Sequence, residues 1–179
     1  MMQKIMKCGF IGGFILFVWG AAAWTVLPWQ MKQFNKFSDE KDVRYTIKDN
    51  APQSGLYLLP SWSDNSQEAK KQMQEGPFVF AAVLTQGKSA GMVGSSVAAL
   101  ITKIIAACLV AWMLFQTRLD YNKSVGFVTV AGIVIGFMGV MPYVIWFGFP
   151  GTFAVSAIIE AAFGWFFAGL AISKIALKK

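Results

Sequence analysis

Two ionisable side chains, Lys103 and Glu160, stand well inside long apolar runs. A charge at the centre of a membrane helix costs about 2.5–3.5 kcal/mol unless it finds a partner, so such residues call for a pairing or functional role. Lys103 precedes Arg118 by fifteen residues, and Glu160 precedes Lys174 by fourteen. At helical rise both lie roughly 21–23 Å from a basic boundary, at matched depth and with opposite sign. The expectation is a buried interhelical ion pair or one shared polar pocket. Three roles stay open. The pair can fix which helices are neighbours. Lys103 can snorkel to the outer surface and ignore Glu160. Or the two can line a path for ions or protons.

Other chemistry is scarce. The chain has no histidine, which excludes imidazole metal ligands and Ser-His-Asp triads within it. There is no GxSxG, P-loop, CxxC or metal-ligand cluster, so neither an enzyme nor a cofactor is expected. Asp39, Glu40 and Asp42 are read as a helix start, with Ser38 as N-cap and acids at the positive end of the dipole. The two cysteines, Cys8 and Cys108, are expected to differ in depth by roughly 15 Å, too far for a disulfide.

The elements that must position Lys103 and Glu160 are apolar blocks. Hydrophobic residues make up 56% of 179, and the mean hydropathy is +0.53, because four runs approach the ~20 residues needed to cross a bilayer. They extend from Cys8 to Leu27, from Val93 to Phe115, from Ser124 to Trp146 and from Thr152 to Ile172. A cleaved signal peptide is the alternative for the first, with Ala21-Ala22-Ala23 as cleavage site. That run exceeds the usual ~7–15-residue apolar region, so a retained helix is expected.

Between the first two blocks the composition turns polar and holds seven of the nine acidic residues. A helix is expected to end at Asn50-Ala51-Pro52. Strands are expected over Gly55–Pro60 and Gly76–Val83, with a short helix near Gln67–Gln74. Two strands alone are marginal in water, so this segment must lean on its helices, the membrane or a partner. Tyr57, Phe78 and Phe80 are the candidate partner surface, through an edge strand.

Small residues form stripes: Gly9 and Gly13 in the first helix, Gly132 and Gly136 in the third, and Gly164 among alanines in the fourth. Such faces let helix backbones approach closely, within one chain or between copies. Trp24, Trp29, Trp112 and Trp146 fall near expected interfaces, whereas Trp19 and Trp165 lie deeper and should pack between helices.

The net charge of +7 comes largely from lysines flanking the apolar blocks, so it carries topology and not nucleic-acid binding. The N-terminus, the 118–123 loop and the C-terminus hold seven of the sixteen Lys and Arg, and the 147–151 turn holds none. Both termini are therefore expected on the cytoplasmic side. The expected fold is an all-α membrane protein: a compact four-helix transmembrane bundle with a small α+β extracytoplasmic cap. Helix 1 occupies residues 1–27, the outer segment 28–91, and helices 2–4 residues 92–179.

Trp19-Gly20, Val26-Leu27-Pro28-Trp29, Asn50 to Tyr57, Gly76 to Ala81 and Gly126-Phe127-Val128-Thr129 resemble strings in a group of uncharacterised small bacterial inner-membrane proteins. The resemblance covers most of the chain and implies an envelope location, with no activity attached. Four helices with a long first outer loop also loosely match the claudin layout, but the paired loop cysteines of that family are missing. The expected function is an accessory or scaffold component embedded in the bilayer, whose outer segment engages another envelope protein or a second copy. The alternative is a small oligomeric transporter or channel with a Lys103/Glu160 path.

Overall fold

The structure is a computed structural model that describes residues 1–61, 66–89 and 91–177. Residues 62–65, Ala90 and the terminal Lys178 and Lys179 lie outside the described residues. The elements in chain order are α1 (Met2–Val26), α2 (Pro28–Met31), α3 (Glu40–Asn50), β1 (Gly55–Leu59), α4 (Gln67–Glu75), β2 (Val79–Val83), α5 (Val93–Phe115), α6 (Tyr121–Phe147) and α7 (Gly151–Leu177). The chain divides into a helical unit, Met1–Phe34 with Gly91–Lys179, and a second unit, Asn35–Ala90.

In the helical unit, α1, α5, α6 and α7 are each long and apolar enough to cross a membrane. Every one begins or ends beyond its apolar run or coincides with it. Lys4 and Lys7 lie inside α1 and do not precede it. Lysine is a good helix former, so charge bounds the apolar run without bounding the helix. Pro28 ends α1 and opens α2, a single turn that redirects the chain. At the same end of the unit, α6 stops at Gly148, whose φ of 69° gives the left-handed C-cap before α7.

Close approach at small residues sets the neighbours. Gly9 and Gly13 face α5: a Cβ on Gly9 would overlap Cys108 Sγ, and one on Gly13 would stand 2.6 Å from Ile104 Cα. Gly12 faces α7 at Ile172. Gly164 of α7 receives Leu16 and Trp19 of α1. Gly132 and Gly136 of α6 receive Trp165 and Ala161 of α7. All five glycines singled out for packing thus lie at contacts between helices of one chain. The alanine–glycine stripe of α7 splits between two neighbours, with Ala161 toward α6 and Gly164 toward α1.

The resulting arrangement has α1 between α5 and α7, and α7 between α1 and α6. The consecutive helices α5 and α6 touch little. The bundle therefore has one thin seam, where a compact bundle would be closed. No glycine of α6 meets α5 closely, so no glycine contact draws those two backbones together. The core joins Cys8, Leu16, Ala107, Val110, Leu114, Val128, Trp165 and Ile172.

The cysteines depart from expectation. Cys8 and Cys108 lie at one level, since Cys108 packs on Gly9 and its Sγ is 4.0 Å from Ile5 O. The α1 helix starts six residues before Cys8, while the antiparallel α5 ends seven residues after Cys108. Measuring depth from the edge of the apolar run instead of from the helix end produced the error. Both thiols are free, with Cys8 Sγ turned toward Ile172 O at 3.8 Å.

The second unit is a two-stranded antiparallel sheet with two helices. Tyr57 pairs with Ala81, Leu58 with Phe80 and Leu59 with Val79. Asp39, and not Ser38, caps α3: its Oδ1 accepts from the N–H groups of Lys41 and Asp42. Ser66 Oγ accepts from Ala69 N and caps α4. Neither helix packs closely along a strand, and α3 buries no residue.

Candidate functional site

Glu160 lies nine residues into α7, and its neighbours come from three other elements. Gln30 of α2 donates Nε2–H to Glu160 Oε2 at 2.6 Å, and Gln30 is only 2% exposed. Trp19 of α1 donates its indole N–H to the Glu160 backbone carbonyl at 2.9 Å. Trp19 also packs its ring against Phe163 and Phe167, one turn and two turns further along α7. The Trp24 side chain is within reach of the same carboxylate.

Lys103 approaches from α5, on the far side of α1. Its Nζ stands 3.1 Å from where a Gly20 Cβ would be, and Glu160 Oε1 stands 3.5 Å from that point. The ammonium and carboxylate are therefore within about 6.6 Å, the two distances laid end to end. They make no direct ion pair within 4.0 Å among the described residues. Of the two expected geometries, the direct bridge is absent, and both charges border one gap. Gly20 is the reason they meet at all: the missing side chain in α1 opens a window through which Lys103 reaches toward α7.

Magnitudes show why both contacts matter. Unit charges 4–6.6 Å apart attract by roughly 2.5–4 kcal/mol at an effective dielectric of about 20. A hydrogen bond to a charged group contributes about 1.5–3 kcal/mol. Placing both ions at helix centres costs about 2.5–3.5 kcal/mol each. Neither contribution alone offsets that cost, and the two together are of its size.

One turn away the polar network continues. Gln33 Nε2 donates to Ser156 Oγ at 2.7 Å, and Ser156 donates to Phe153 O at 2.9 Å. Ser156 and Glu160 are four apart on α7, so they share a face. The chain after α1 lays Gln30 and Gln33 along that face, while Gln33 Oε1 is buried with no hydrogen-bond partner among the described residues.

Sequence reading did not single out Gln30, Gln33 or Ser156. The available signal was Pro28 with two glutamines three residues apart just beyond an apolar helix, a pattern equally common in solvated loops. Trp19 was expected between helices, and its bond to Glu160 O adds the polar half of that role.

In the second unit, Tyr57, Leu59, Val79, Ala81 and Val83 share one sheet face by register, and Leu58 and Phe80 point to the other. Tyr57 and Phe80 thus do not form one surface. Phe78 precedes β2 with the parity of Phe80. The Tyr57 face and residues Thr46, Ile47, Asn50 and Ala51 line an apolar cleft of about 280 Å³. Tyr57 is anchored by its hydroxyl, which donates to Gln53 O at 2.6 Å.

The four apolar helices mark an integral membrane protein, with a polar cluster at Glu160 and a small α+β unit carrying an apolar cleft. No protein-family model, curated protein or solved structure matches the chain.

Proposed function

We propose that the protein is a non-enzymatic component of a bacterial inner membrane, whose 35–90 unit engages a partner protein. In this reading the chain crosses the bilayer four times, with both termini cytoplasmic and the 35–90 unit outside. The basic residues of the short loops support that orientation.

The observation that carries the partner reading is the uncovered apolar surface of the 35–90 unit. Leu59 is 57% exposed and Val79 41%, on the sheet face that lines the cleft. Among the described residues the sheet holds β1 and β2 alone, and an extended apolar segment can fill the cleft and join the sheet by strand addition.

Photo-crosslinkers placed at Leu59 and Val79 should capture the same envelope protein in native membranes, while one at Lys41 should not. Absence of any adduct from the two cleft positions would sink the reading. Topology is tested separately. Gln86→Cys should react with an impermeant maleimide in intact cells, and labelling only after lysis would reverse the orientation.

A second reading, a small oligomeric transporter or channel, rests on Lys103 and Glu160 facing each other across Gly20 without pairing. It requires an ion flux in liposomes that Glu160→Gln abolishes, and a parent protein without flux eliminates it.

A further inference from the structure

We infer that the seam between α5 and α6 is a binding site for one anionic phospholipid. The seam forms a groove of about 670 Å³ lined by Val110 and Met113 of α5 and by Phe127, Val130 and Val134 of α6. Lys123 lines one end, and Ile135 lies at the other. The twelve helical steps from Lys123 to Ile135 rise roughly 18 Å. One leaflet's share of the ~30 Å hydrocarbon core is about 15 Å, so the groove has the length of a single leaflet. A partner helix would instead require a face running the whole length of α6, which continues twelve residues beyond Ile135.

Charge is placed at one end only. Lys123 stands at the mouth, and Arg118 is in the loop beside the lining residue Leu119. The N-terminus of the 27-residue α6 adds the positive end of its dipole there. Asp120 is the carboxylate of the same loop. It accepts from Lys123 Nζ at 3.3 Å and from the Lys123 backbone N–H, so it offsets one of the two cations and Arg118 keeps the loop net positive. An apolar slot one leaflet deep, with a basic rim at the membrane boundary, fits an acyl chain carrying an anionic headgroup. The thin contact between α5 and α6 leaves the slot, since no glycine of α6 brings it close to α5.

Gly126 makes the test clean, because it lines the groove and a Cβ there meets open space. Native mass spectrometry of the purified full chain should show one retained phosphatidylglycerol. Its preference over phosphatidylcholine of the same chain length should exceed tenfold. Gly126→Phe should lose the retained lipid while keeping the parent's melting midpoint. Should Gly126→Phe misfold, Val130→Trp tests the same slot from a lipid-exposed position. Arg118→Gln with Lys123→Gln should bring the preference down to about onefold. Equal uptake of both lipids by the parent overturns the proposal. So does parent-like retention in the filled variants, or a dimer whose seam is covered by a second copy.

Discussion

The helical unit and the 35–90 unit reach order by different means. In the helical unit, backbones approach closely at Gly13, Gly132 and Gly164, and large side chains enter the gaps. The second unit holds its helices by local caps at Asp39 and Ser66 and its strands by one antiparallel pairing. Its helices stay loosely applied, and Leu56, Leu59 and Ile47 remain exposed. Lipid offers no hydrophobic drive between helices, so packing precision must supply it. A small unit in water has the drive but too little core to use it.

The sharpest way to break this contrast is to fill a helical contact. Gly132→Leu would drive a side chain into Trp165, and overpacking of this kind should cost about 3 kcal/mol or more. Gly139→Leu meets open space and should leave the melting midpoint in detergent near the parent value. Similar losses for both would show that close approach is not what orders the unit.

Next in size is the polar cluster. Glu160→Ala leaves buried Gln30 without its acceptor and should cost about 2–3 kcal/mol. Glu160→Gln keeps an acceptor and should cost about 1 kcal/mol in the same unfolding assay. Equal costs would mean that the charge facing Lys103, and not the hydrogen bond, carries the stabilisation.

A smaller effect is expected in the second unit. Ser66→Ala removes the α4 cap and should cost about 1 kcal/mol, read as faster amide exchange over Gln67–Glu75 alone. Faster exchange in α1 or α5–α7 would show that the two units are not energetically separate.

The smallest concerns Asp120. The Lys123 backbone N–H holds its carboxyl below the usual carboxylate range. The folded value lies below the unfolded one. Its stabilisation is therefore complete above the ordinary value of about 3.9 and is lost as pH falls through the depressed value. Asp120→Asn should flatten that acid limb of the melting curve and lower the midpoint at neutral pH slightly, toward the parent's acid value.

The apolar lengths, the flanking lysines and the Gly-rich stripes sufficed to place four helices and to mark Lys103 and Glu160 as the charges at issue. Those features act locally, since a run of ~20 apolar residues needs no tertiary context to favour a bilayer. The α3 cap of the 35–90 unit was nearly legible for the same reason, with Asp39 displacing Ser38 by one residue.

Which helices touch was decided only by the fold. Spacing along one helix says nothing about the rotation of its neighbour, so the α5–α6 seam and the window at Gly20 could not be read in advance. Gln30 and Gln33 join Glu160 and Ser156 across more than a hundred residues of sequence. The strand pairing sent Tyr57 and Phe80 to opposite faces. Composition sets what each segment can bury, whereas partners depend on register and rotation, which exist only once backbones have docked.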